Sequence, residues 1–385
     1  MEVFQSIPVL LATMKGHMGH AKVQKHGCGA LWRLSYNDNN KIAIAADGGI
    51  PVLLAAMKAH MGHAAVLQHA VVQKHGCGAL RNLACNDNNR IAIAADGGIP
   101  VLLAVMKAHM GYAEVLEHGC CALRNLAIND NNTIEIVADG GIPVLLPAMK
   151  AHMGHEEVQE HGCCALRNLS SNDNNKLAIA DNGGIPVLLA AMTAHIEHAG
   201  VQEHGCCALR NLSVNNDNTI ATATNGGIPV LLAAMKAHMG HAEVQAHSCG
   251  ALNTLSVNDN NKIDIAADGG IPVLLAAMKA HMGHAEVQAH GCSVLGNIGW
   301  SDTMLQKCIK DKGGVDVVQA AVAASGATAR CIEHGQQLLG KLAQLDTHTP
   351  ISSSSGFIVY IFPPLSLFFM FFIFKNTIFS LCGIF

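Results

Sequence analysis

Histidine is the first residue type in this 385-residue chain whose spacing invites a chemical reading: there are 23, and His152, His155 and His161 form a His-x-x-His pair with a third imidazole six residues on. Zinc binds such nitrogens. A fourth ligand is missing, because no Cys or acid stands at a fixed spacing from the three. Equivalent histidines of neighbouring copies, such as His161 and His204, would stand roughly 8–10 Å apart on packed helices. A zinc–nitrogen bond of about 2.0–2.1 Å cannot close that gap. The expectation is no metal site, with the recurrence of His explained by duplication. Nor does a nucleophile assemble: no Ser, His and Asp recur as a nucleophile with its base, and the repeated Gly-Gly-Ile-Pro is not followed by the Lys-Ser/Thr of a phosphate loop. The chain reads as no enzyme and as needing no cofactor.

Fourteen cysteines are the second oddity. Cys28, Cys77, Cys120, Cys163, Cys206, Cys249 and Cys292 recur at one repeat position, where a free thiol serves as a small buried hydrophobe. The opening residues lack a basic segment, and Pro8 interrupts the apolar run from Ile7 to Ala12, so no export signal is read. Reduced thiols in the cytoplasm follow as the expectation. A net charge of −4 and an aromatic content of 4% argue against nucleic acid as partner. A hydrophobic half and only 14% charged residues exclude intrinsic disorder.

These residues recur because the chain is one unit copied about eight times. Gly-Gly-Ile-Pro begins at Gly48, Gly97, Gly140, Gly183, Gly226 and Gly269, and a degenerate Gly-Gly-Val-Asp begins at Gly313. The spacing is 43 or 44 residues, except for 49 where six residues are inserted near Leu67 to Val72. In the copy around 129–170, Asn129 to Asn132 offer N-cap side chains for a short helix from Thr133 to Ala138. Gly140-Gly141 ends that helix, and Pro143 sits in the first turn of a second one, which stops near Gly154. A third runs from about Glu157 to Ser170, its apolar stripe Val158, Gly162, Ala165, Leu166 and Leu169 on one face. Such a unit cannot bury its faces alone, but stacked copies share a core. The fold expected is an all-α solenoid over 6–345, with units starting near 6, 48, 97, 140, 183, 226, 269 and 313, the first without its front helix.

A period of 43 with three helices lies in the range of HEAT and armadillo arrays. The wording of the copies, a short helix, Gly-Gly-Ile-Pro into the second and Ala-Leu-Arg-Asn-Leu on the third, resembles the armadillo repeat, as in importin-α-like and β-catenin-like solenoids. Similar arrays occur in leucine-rich-repeat kinases. The resemblance implies a right-handed superhelix whose third helices line a concave groove that holds an extended peptide or protein partner. It further implies that the family's peptide-binding Asn matches Asn82, Asn125, Asn168, Asn211 and Asn297, with Arg33, Thr254 and Lys341 at that position in other copies. Importin-α-like repeats place Trp four residues earlier; here Gly78, Cys121, Cys164, Cys207 and Ser293 stand there.

The residues themselves leave two roles open for that Asn. Glu157, His161, Cys164 and Asn168 form a stripe off the core side, so the amide either hydrogen-bonds a ligand or braces the next loop. Glu117, His118, Glu160, His161, Glu203 and His204 are read as groove-lining, an acidic middle that Arg81, Arg124, Arg167 and Arg210 either partly offset or leave by facing the neighbouring unit. The function expected is a non-enzymatic interaction scaffold; the alternatives are a nuclear-import-type adaptor and a fragment of a larger multidomain signalling protein. Residues 346–356 read as a linker. Nine of the ten Phe lie in 357–385, a tail that is a membrane segment holding a cytoplasmic protein, a gene-model artefact, or a hydrophobic segment that binds a partner or the end of the solenoid.

Overall fold

The computed structural model describes residues 2–62, 67–300, 302–324 and 326–347. These form twenty-three α-helices with no strand among them. The expected linker from 348 onward and the tail lie outside the described residues. No helix among the described residues is both long and apolar enough to cross a membrane.

Each full unit contributes three helices. In the copy around 129–170 they are Asp130–Ala138, Gly141–Ala151 and Glu156–Leu169. The first begins three residues before Thr133, because the Asn-rich run forms its opening turn. The Asn129 side chain accepts from the backbone N–H groups of Asn131 and Asn132 at 3.1 and 3.2 Å, leaving Asp130 in the first turn, where a negative charge suits the helix dipole. The second helix ends at Ala151 rather than near Gly154, with His152 as its C-cap.

Between the first two helices the chain must turn sharply. Asp38–Ala46 meets Gly49–Ala59 at 78°, and the equivalent helices in two later units meet at 77°. Two glycines make that corner. Gly140 adopts φ 81°, a left-handed angle with a steric penalty for residues bearing Cβ. Gly141 is needed for space, since a Cβ there would lie 2.6 Å from the backbone oxygen of Ile136. A third glycine, Gly162, lets the third helix settle on Met149, whose Cγ and Sδ would be 2.7 Å from any Cβ.

Successive third helices stack side by side, from Ala21–Leu34 through Leu67–Leu83, Ala113–Leu126, Glu156–Leu169, Ala199–Leu212 and Ala242–Leu255 to Ala285–Ile298. The buried side chains form one continuous core from Ile7 to Leu342. Val158, Ala165, Leu166 and Leu169 lie in it, as their helical spacing requires, and so do all seven cysteines of the repeated row.

Polar side chains then tie the helix ends together. Gln159 Nε2 donates to the carbonyls of Met149 and His152 at 2.9 and 2.8 Å, joining the third helix to the end of the second. Gln24, Gln202, Gln245 and Gln288 make the same pair of bonds in their units. His152 Nε2 meets the Met110 carbonyl of the preceding unit at 2.8 Å, and His60, His195, His238 and His281 repeat that link. The third unit differs: Leu116 stands where Gln would, and His109 turns its Nδ1 to Val105 of its own helix at 3.1 Å.

The Gln159 bridge is therefore a stability element. Replacing it by Ala should leave two buried carbonyls without their donor and cost about 1–3 kcal/mol. Gln159→Leu, which copies the third unit and keeps the volume, should cost less. Urea melts followed by far-UV circular dichroism would show the ranking, and equal midpoints for all three proteins would contradict it.

Candidate functional site

The third helices also carry the polar rows singled out by the repeat. Asn125, Asn168 and Asn211 occupy the last turn of their helices, and each amide Nδ2 donates back to the preceding third helix. The acceptors are the carbonyls of Arg81, Arg124 and Arg167, at 2.9, 3.0 and 3.4 Å. Asn82 reaches the Trp32 carbonyl at 3.3 Å and Ser35 Oγ at 3.2 Å, and Asn297 reaches Ser256 Oγ at 2.9 Å. The brace thus runs to the end of the previous third helix rather than to the following loop, since a helix end leaves carbonyls with no intrahelical donor. The Oδ1 of each of these five amides accepts no hydrogen bond from the described residues.

Arg, Glu and His meet between units. Arg124 Nη1 lies 3.6 Å from Glu160 Oε1 and 3.2 Å from His161 Nδ1 of the next unit. Arg167 makes the same approach to Glu203 and His204, at 3.4 and 3.2 Å, and Arg81 a looser one to Glu117 and His118, at 3.9 and 3.5 Å. The six groove-lining residues expected from the sequence therefore sit in three pairs, each facing an arginine of the unit before. The acidic row is largely neutralised where it stands. In the fifth unit Arg210 meets no Glu next door, since Ala246 is there, and crosses Gly250 to reach Glu286 at 3.3 Å.

Burial and the arginines hold these imidazoles neutral. His118 and His204 are pushed down to about 4 and His161 to about 3, first by loss of hydration and then by the guanidinium beside each. His247 and His290 are likewise depressed to about 4, by burial and then by Arg167 and Arg210 respectively. A neutral Nδ1 can accept from the guanidinium, which an imidazolium could not. The three histidines of the zinc-like spacing have separate neighbours: His152 bonds the Met110 carbonyl, His155 Nδ1 stands 3.2 Å from the Glu157 carboxylate without a hydrogen bond, and His161 meets the Arg124 guanidinium. Buried thiols are equally far from reactivity, Cys28, Cys77 and Cys206 being raised to about 12 by desolvation.

One feature of this face escaped the sequence reading. Trp32 stands at the arginine position of the first unit, and its ring packs 4.9 Å from His118 and 5.5 Å from His75. Gly78 makes room for it, since a Cβ there would lie 2.7 Å from the indole. The Gly at a position held by Cys in the next three units was the available signal.

The depressed histidines give stability a pH dependence with a definite sign. Their unfolded value is about 6.5, so below that pH the unfolded chain binds more protons and stability falls until the folded values are reached. Each of the five should forfeit roughly 1 kcal/mol between pH 7.5 and 5.5. Thermal melts at the two pH values should show a clear drop, reduced in a His118→Gln, His161→Gln, His204→Gln variant. An unchanged melting temperature would contradict this account.

Comparison with known proteins agrees with the architecture. A family model described as the LRRK2 ARM repeat matches residues 1–182, and the armadillo/beta-catenin-like repeat model matches residues 172–214. A crystal structure of an engineered protein is 26% identical, with 88% of each chain covered and a TM-score of 0.66. A second engineered protein is 25% identical over 64% of this chain and 97% of its own, at a TM-score of 0.55. The designed armadillo repeat protein YIII(Dq)4CqI shares the fold at 14% identity, covering 63% of this chain and 99% of that one at a TM-score of 0.52. No curated protein matches. With its three-helix units, glycine corners and stacked third helices, the chain belongs to the armadillo-repeat family.

Proposed function

We propose that this protein is a non-enzymatic scaffold that binds an extended peptide or protein segment along its third-helix face, through Asn82, Asn125, Asn168, Asn211 and Asn297. Armadillo solenoids are typically protein-binding scaffolds, which supports the broader reading. One observation carries the finer one: each ladder amide is held by its Nδ2 and keeps an unused Oδ1 acceptor. The bracing and binding roles of Asn are then two ends of one side chain. The brace fixes the rotamer in advance, so a ligand N–H meets an ordered acceptor and less entropy is lost on binding. Each such bond contributes roughly 0.5–1.5 kcal/mol net, so a row of them separates micromolar binding from none.

Nuclear import is the weaker reading. At the positions where importin-α-like repeats carry Trp shelves, Cys121, Cys164 and Cys207 are buried. The alternative of a larger signalling protein has a specific observation in its favour, the match of the first 182 residues to the LRRK2 ARM repeat model. Mapping of full-length transcripts in the native source would decide it. We place the protein in the cytoplasm, a reading supported by thirteen cysteines that are all free among the described residues.

Peptides selected by the full chain from a random phage-displayed library test the ladder. Asn125→Ala, Asn168→Ala and Asn211→Ala together should abolish binding of the selected peptides. The same variant should lose about 1.5–4.5 kcal/mol of stability, because three braces go with the acceptors. Full-strength binding by a folded triple variant would remove the ladder from the mechanism.

A further inference from the structure

The arginine row ends before the solenoid does. Gly296 stands where Arg167 and Arg210 stand in earlier units, and space opens beside it. A cavity of 330 Å³ lies there, between the end of Ala285–Ile298 and the last helix, Ala329–Thr347. At the ladder position of that last helix the residue is Lys341, and its longer side chain bridges where an Asn would have filled. Lys341 Nζ donates to the Trp300 carbonyl at 2.7 Å and lies 4.2 Å from the centre of the Trp300 ring.

The chemistry of the lining is one-sided. Lys341, Lys262, His334, Asn297, Gln337 and Ser256 supply the polar side chains, and no Asp or Glu is among the lining residues. Lys262 is already paired with Asp259 at 2.6 Å, outside the cavity lining, so one cation remains without a carboxylate. Trp300 and Leu338 add an apolar wall, and the indole is 53% exposed. We propose that this cavity is a binding site for an organic monocarboxylate with an apolar body, such as a peptide C-terminus or a Glu side chain. The carboxylate would pair with Lys341 and take a hydrogen bond from Gln337, while the apolar body lies on Trp300. A single unpaired cation matches a monoanion; a phosphate dianion would call for a second. The site does not depend on what the rest of the third-helix face holds.

With two tryptophans in the chain, the full-length protein labelled with ¹⁵N-tryptophan gives two indole signals, assigned by Trp300→Phe. N-acetylphenylalanine should shift the Trp300 indole saturably and leave that of Trp32 in place. N-acetylphenylalaninamide, without the charge, should bind at least about tenfold more weakly, as should the acid to Lys341→Gln. Gly296→Met, which fills the cavity with an uncharged side chain, should also lose binding and serves if Lys341→Gln fails to fold. N-acetylglutamic acid α-methylamide distinguishes the sources: tighter binding of it, or of N-acetylphenylalanine, assigns the carboxylate to a side chain or to a chain end. Equal binding of acid and amide, unaltered binding by both variants, or no shift would overturn the proposal. Phenyl phosphate binding about tenfold tighter than either acid would overturn the assignment to a carboxylate.

Discussion

Every helix end leaves carbonyls with no donor inside the helix, and in this protein the next unit supplies many of those donors. The His152 imidazole meets Met110 and Asn125 meets Arg81, each across a unit boundary. Hydrophobic burial contributes more free energy, but it is non-directional and would tolerate some sliding between layers. These bonds tolerate little, since a displaced donor leaves a buried acceptor unsatisfied. A nearly constant period keeps these donors in step with the carbonyls they serve, and across the six-residue insertion Asn82 still reaches Trp32. Where six residues are inserted, in the second unit, the following unit has Leu116 in place of Gln and His109 turned onto its own helix.

The same geometry creates a regular polar face. Aligning third helices to satisfy helix ends also aligns the Asn, Arg and His of the second to fifth units into rows. Arginine is then held between units by Glu and a neutral His, which limits its reach toward solvent and leaves the Asn oxygens as the regular feature available to a ligand. The rows fail toward both ends of the array, where Trp32 on one side and Asn253 and Gly296 on the other replace Arg, and the two ends acquire surfaces of their own.

Much of the fold was legible in the sequence because its signals are local. Gly140 must adopt positive φ, Pro143 must lie in a first turn, Asn129 must cap, and the cysteine row must be buried, each from its own residue type and near neighbours. The polar braces were not legible, for the opposite reason. His152 acts on a carbonyl 42 residues back, one short of the period, and no property of the imidazole announces a backbone partner. Gln159 looked like any polar residue on a helix. The Asn rows could be found by spacing, but which end of the amide faces the protein depended on the neighbouring helix end. Likewise Glu160 and Arg124 were each visible, while their pairing across a unit boundary needed the stacking angle.

The most direct test of the central claim, that one Asn both braces the solenoid and receives a ligand, is a crystal structure of the protein with a selected peptide bound. The account predicts peptide N–H groups within about 2.7–3.2 Å of Oδ1 of Asn125, Asn168 and Asn211, with each Nδ2 still on its carbonyl of Arg81, Arg124 or Arg167. A peptide seated elsewhere, or amides that leave those carbonyls to bind it, would contradict the account.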